Sequence, residues 1–243
     1  MSKASEYIES IKELIECVSM TQTEPLDRAA GILSETLKND GWIYIFGTGH
    51  SHMLAEELFY RAGGLVRIKP ILEPGLMLHG GAGKSTRLER LSGYAEIILD
   101  DYGITQNDCL ILISNSGGNS VLTEAAQYAR RHGIKTVALT SINHSTGVLA
   151  NNPNRQMLFK LCNVVLDNCG CYGDACVSFG EKKAAPTSTV IGAMILNALV
   201  CLTVEKLEEQ GIEAEIFKSS NTAGGNDYNK TLIGKYKNVI KEL

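Results

Sequence analysis

Trp42-Ile43-Tyr44-Ile45-Phe46-Gly47-Thr48-Gly49-His50-Ser51 and Cys109-Leu110-Ile111-Leu112-Ile113-Ser114-Asn115-Ser116-Gly117-Gly118-Asn119-Ser120 are the two stretches that decide the fold. Each begins with an unbroken apolar run, the pattern of a strand covered on both faces. Each run then empties into a loop of glycine and short hydroxyl side chains, and a helical pattern follows. Met53, Leu54, Leu58 and Ala62 carry the first helix to Gly63-Gly64; Val121 to Arg131, closed by Gly133, is the second. Working outward, Leu65–Leu72, Thr136–Thr140 and Asn163–Asp167 read as further strands, and Pro186–Leu207 as a long apolar helix. Strands alternating with helices predict an α/β protein, a mostly parallel sheet with helices on both faces. Such sheets take ligands at the carboxyl ends of their strands, where both loops fall.

The flanks are plainer. Ile8, Ile11, Leu14, Ile15 and Val18 fall at helical spacing, as do Leu26, Ala29, Ala30, Leu33 and Leu37 after Pro25. Asn39-Asp40-Gly41 stops the second helix. Residues 73–95 show no clean period and read as an irregular loop with a short helix. The tail from Phe217 holds a Gly/Asn-rich turn, Asn221–Asn229, and an amphipathic end helix.

Composition narrows the function. The 243 residues suit one large α/β domain, and 44% hydrophobic with 21% charged residues suits a folded globule. With 23 Lys+Arg against 27 Asp+Glu the net charge is −4, opposite to what nucleic acid or an anionic membrane selects, so neither is an expected partner. The apolar stretch Val190–Val204 falls short of the ~20 residues of a span and reads as a core helix. No apolar leader follows the start, so the seven cysteines, including the Cys162–Cys176 cluster, read as free thiols of a cytoplasmic protein.

The loops carry the chemical signal. Glycine lets backbone N–H groups approach an anion, and a helix N-terminus adds unpaired donors and partial positive charge. Thr48, Ser51, Ser114, Ser116 and Ser120 each add a hydroxyl donor, enough for two converging loops to saturate a phosphate monoester without lysine or metal. The same residue types also make ordinary helix caps and turns. Two nucleotide motifs fail. Gly47-x-Gly49 lacks a third glycine, since His52 stands there, and Gly83-Lys84-Ser85-Thr86 lacks its first, since Leu78 stands there.

With Phe46–His52 and Ile113–Ser120 in view, the chain resembles the SIS (sugar isomerase) domain family over about Trp42–Leu207. Its full-length pattern is most similar to a stand-alone bacterial subfamily related to phosphoheptose isomerase and N-acetylmuramic acid 6-phosphate etherase. The resemblance implies a three-layer, doubly wound, flavodoxin-like sheet of five parallel strands, with residues 1–40 a helical extension packed on a domain at 41–243. It implies a phosphosugar ligand, no cofactor, no metal, and a homodimer or homotetramer. Ser114, Ser116 and Ser120, with Asn115 and Gly117, would hold the phosphate; Gly47, Thr48, Gly49, His50 and Ser51 would complete the cradle.

Aldose–ketose isomerisation then needs a base for the proton moved between neighbouring carbons. Glu181, in Gly180-Glu181-Lys182-Lys183, is similar to the segment supplying that base in glucosamine-6-phosphate synthase; alternatively it is a solvated helix-start residue. Relatives carry a catalytic Glu ten residues after the loop serine, where this chain has Arg61, a contact for an anionic sugar or a neighbouring subunit. Glu57 lies one turn earlier and shares that helix face. His50 and His52 are ring-opening acid or base candidates or polar loop lining. Asp174 lines the cleft or serves a turn. The resemblance leaves three functions standing: an isomerase, an etherase-type lyase and a non-catalytic sugar-phosphate sensor.

Overall fold

The computed structural model describes residues 2–243. Helices α1 (Lys3–Thr21) and α2 (Thr23–Lys38) precede strand β1 (Ile43–Gly47), helix α3 (Met53–Leu58) and strand β2 (Ile68–Ile71). Helices α4 (Ala82–Leu88) and α5 (Tyr94–Tyr102) lead to β3 (Cys109–Ile113), α6 (Ser120–Arg131), β4 (Lys135–Thr140), α7 (Ile142–Asn151), α8 (Leu158–Leu161) and β5 (Val164–Asp167). A hairpin of β6 (Ala175–Phe179) and β7 (Lys182–Pro186) comes before α9 (Ser188–Glu209) and α10 (Gly225–Tyr236).

Five strands form one parallel sheet in the order β2-β1-β3-β4-β5, the sheet implied by the resemblance. Because successive side chains point to opposite faces, the apolar runs feed two cores. Ile43, Ile45, Ile111, Val137 and Leu139 pack with α2, α3 and α9, and Tyr44, Phe46, Leu110, Leu112 and Ala138 pack with α5, α6 and α8. Strand order reverses between β1 and β3, and Gly47 pairs with Ile113. The two hydroxyl-rich loops therefore leave the sheet side by side, at a topological switch point.

Helices α5 and α7 and the start of α10 are not in the sequence pattern, and three further segments differ from it. The helix after β1 ends at Leu58, short of Gly63. Phe59 is extended and Tyr60 left-handed at φ 47°, because the C-terminal segment pairs here: Gly63 N donates to Phe217 O at 2.8 Å and Phe217 N to Gly64 O at 3.0 Å. Residues 180–186 precede the long helix, but as a strand and not as a loop at its start. They turn through Gly180-Glu181 into β7, and Gly180, at φ 64°, supplies the positive angle of a tight hairpin. Finally, α9 takes in polar ends and reaches 22 residues, and an 18-residue window within it has a mean hydropathy of 1.8, enough by length and composition to cross a membrane. It lies against α2 and α3, burying Ile191, Ile195, Leu196 and Leu199. Gly192 allows the close approach, since a Cβ there would fall 2.7 Å from Leu54 Cδ1.

The opposite, amino end of the sheet is held by Asp108, only 5% exposed. Its Oδ1 accepts from Trp42 N and its Oδ2 from Thr105 N and Oγ1, all at 2.8 Å. Asp108→Ala removes three charge-assisted hydrogen bonds, from the half-buried Trp42 amide and from the exposed Thr105 amide and hydroxyl, each worth about 1 kcal/mol net. A loss of about 3 kcal/mol is expected, read as a lower urea midpoint at unchanged slope.

Candidate active site

Thr48, first residue of the loop after β1, is buried and joins three segments. It accepts from Asn119 Nδ2 at 2.9 Å and donates to Glu89 Oε2 at 2.9 Å. Asn119 caps α6 by accepting from Leu122 N at 2.9 Å, as a residue before a helix should. Glu89, just past α4, is fixed a second time because its carbonyl accepts from Val121 N at 3.1 Å. The hydroxyl of Thr48 thus locks the loops together, and its proton is engaged by Glu89 instead of being free for a ligand.

Between the loops lies a cleft of about 450 Å³, walled by Thr48, Gly49, His50, Ser51, Ser114, Asn115, Ser116 and Asn119 from the two loops and by Glu89, Arg90, His144, Arg155 and Asp174 from elsewhere. A larger groove of about 780 Å³, with Arg28, Glu35, Lys135 and Asn163 in its wall, lies at the amino end of the strands. The smaller cleft is the better candidate, because it sits at the carboxyl ends and the switch point. Its serine side holds unpaired hydrogen-bond donors. Among the described residues the hydroxyls of Ser51, Ser116 and Ser120 make no hydrogen bond within the protein, and the amides of Ser116, Gly118, Asn119 and Ser120 have no protein acceptor. Ser114 Oγ accepts from Gly117 N at 3.1 Å and keeps its own proton to give. Gly117 turns at φ 64°, and a side chain there would strike Ser145 Oγ at 2.6 Å. Free amides at the start of α6 add to the positive end of that helix.

Two carboxylates reach the cleft. Asp174 is saturated: Oδ1 accepts from Thr187 N, Thr187 Oγ1 and Ser188 N at 3.0, 3.2 and 2.9 Å, and Oδ2 from Ser188 Oγ at 2.6 Å. It anchors the start of α9. Glu89 keeps Oε1 unbonded within the protein, so it is the carboxylate with an oxygen to offer.

His144 lines the cleft with a defined tautomer. The Gly173 amide, which can only donate, reaches Nδ1 at 3.1 Å, so the ring is neutral and carries its proton on Nε2. Burial lowers its pKa below 6.5, outweighing the pull of Asp174 in the other direction. The sign for stability follows. Below about pH 6.5 the unfolded chain takes up a proton that folded His144 resists, so stability falls with falling pH until the lower, folded pKa is passed. A His144→Gln variant is expected to lose this part of the slope when urea unfolding is compared between pH 5 and 8.

The remaining predicted residues lie elsewhere. His52 is buried behind the loop, with Nδ1 2.5 Å from Gly49 O and Nε2 3.6 Å from Glu56 Oε1. Glu57 pairs with Arg61 and accepts from Asn197 Nδ2 at 3.0 Å. Glu181 is exposed at the hairpin tip. None of these, nor Gly47, Gly117 or Ser120, is in the cleft wall. Glu89, Arg90, His144 and Arg155 were not singled out by the sequence. Glu89 and Arg90 belong to the stretch without period, and His144 and Arg155 stand outside any motif.

Comparison with known proteins gives a consistent result. A family model described as "SIS domain" matches residues 6–141. The chain is 39% identical over 239 residues to a UPF0309 protein of Halalkalibacterium halodurans, spanning 98% of this chain and 96% of that one. In structure it is similar to a phosphoheptose isomerase from Francisella tularensis, with a TM-score of 0.54 and 17% identity over 84% of this chain and 100% of that chain. It is equally similar to the Vibrio vulnificus NanR protein complexed with ManNAc-6P, with a TM-score of 0.54 and 17% identity over 100% of this chain and 70% of that chain. At these identities the structural likenesses speak for a shared fold.

Proposed function

The chain belongs to the SIS domain family, and on that premise we propose that the cleft binds a phosphosugar and isomerises it between aldose and ketose forms. The phosphate takes the free hydroxyls of Ser51 and Ser116, which wall the cleft, and the unpaired amides ahead of α6. Glu89 Oε1 is the base that moves the proton between the first two carbons, and His144 Nε2–H donates to the sugar oxygen whose charge grows as that proton leaves. One observation carries the reading: a hydroxyl-and-amide cradle and one carboxylate with a free oxygen open onto the same cleft. The reaction needs no redox partner, because one substrate atom set is rearranged.

The test is incubation with a panel of aldose, ketose and amino-sugar phosphates, followed for interconversion. Turnover of one of them supports the reading. Lactate release from N-acetylmuramic acid 6-phosphate would replace isomerisation by ether cleavage. Tight binding of a sugar phosphate without turnover would make the protein a sensor. The same reading includes self-association. On α1, which packs against β6, Ile8 and Ile15 are 53% and 42% exposed, with Phe179 and Val190 also exposed at 51% and 47%. A second copy would cover such a surface. Sedimentation should show a dimer or tetramer, and Ile8→Asp should weaken it.

A further inference from the structure

Arg155 lies between α7 and α8, remote in sequence from the serine loop, yet it is fastened to it. Its Nε donates to Gly118 O at 2.5 Å, and three residues on, Leu158 N donates to Gly117 O at 2.8 Å. Met157, wholly buried, packs on the same loop. A Cβ on Gly118 would fall 3.0 Å from Arg155 Nε and 3.1 Å from Met157 Sδ. Gly118 is therefore small because this segment rests on it.

The guanidinium is consequently pre-set. With Nε spent on a carbonyl, its two terminal nitrogens keep their donors, and Arg155 forms part of the cleft wall beside Ser116. Among the described residues no carboxylate forms an ion pair with it. An arginine held by its inner nitrogen, its fork free, beside unpaired amides and hydroxyls, suits an anion with several oxygens. We propose that Arg155 clamps the phosphate of the bound sugar, so that the cradle carries one fixed positive charge. This rests on the phosphosugar reading and deepens it. The ligand's anionic group is a doubly charged phosphate monoester, which the fork and the hydroxyls grip from opposite sides.

Binding of inorganic phosphate and of fructose 6-phosphate, measured by titration calorimetry on the full chain, tests the clamp. Arg155→Ala should weaken both by about 10–100-fold, the range of a lost charge-assisted hydrogen-bond pair. Arg155→Lys should recover only part, because an ammonium cannot fork. Added salt should weaken binding to the parent protein more than to Arg155→Ala. Arg155 is exposed, so both variants should keep the parent melting temperature. Parent-like affinity in Arg155→Ala, or full recovery in Arg155→Lys, would overturn the clamp alone. A parent protein that binds neither probe would overturn the phosphosugar reading and the clamp with it.

Discussion

A Glu89→Gln variant is expected to bind sugar phosphates about as well as the parent and to turn them over about 10³-fold more slowly. The amide keeps the shape of the carboxylate, and its carbonyl oxygen still accepts from Thr48 Oγ1, so the link between the loops survives. The oxygen without a partner in the protein is replaced by an NH₂ group, which cannot take a proton. Binding and chemistry thus separate, with kcat falling while KM is nearly kept. Glu181→Gln and Glu57→Gln serve as controls, since Glu181 is exposed at the hairpin tip and Glu57 is held by Arg61 and Asn197. Both should stay within a few-fold of the parent. A large loss in Glu181→Gln with none in Glu89→Gln would return the base to the hairpin and exclude Glu89.

The difference between these carboxylates shows what the sequence made legible. The sheet was readable because β1, β3 and β4 are buried on both faces and so are written as continuous apolar runs. The serine loop was readable because glycine and hydroxyl residues must sit at the end of such a run to turn the chain and meet an anion. Glu89 was not, since its place depends on a tertiary event. Glu73 accepts from Tyr94 OH at 2.7 Å and Ser85 donates to Leu76 O at 2.8 Å, folding the aperiodic stretch over the first loop. No local spacing encodes those contacts. The hairpin β6–β7 was missed for a related reason. β7, with Lys182, Lys183 and Ala184 exposed, has no apolar alternation, and β6 is a five-residue run with only Val177 buried, too short to give a period. Asp174 was a turn residue or a cleft residue by sequence; in the structure it stands in the cleft wall and spends its carboxylate on α9.

Gly47→Ala is expected to cost about 3 kcal/mol of stability and to abolish sugar-phosphate binding, whereas Gly49→Ala, two residues on, costs about 1 kcal/mol and leaves most of it. The glycines serve opposite ends. Gly49 has φ 57°, a left-handed angle that an alanine adopts with modest strain, and a Cβ there meets nothing nearer than Leu78 Cδ2 at 3.9 Å. Gly47 needs no unusual angle, but a Cβ on it would fall 2.6 Å from both the carbonyl carbon and oxygen of Ser51 and 3.0 Å from His52 N. These are backbone atoms of a turn already closed by Ser51 N donating to Thr48 O at 3.0 Å, so no side chain can swing away to relieve the clash. The turn itself must lift, moving Ser51 off the cleft and pulling Thr48 from Glu89 and Asn119. Calorimetric titration with fructose 6-phosphate, paired with thermal unfolding, separates the two cases. Equal losses in both variants would mean that contact with the turn does not set Gly47 apart from Gly49, and the close packing of loop on strand would cease to account for the geometry of the site.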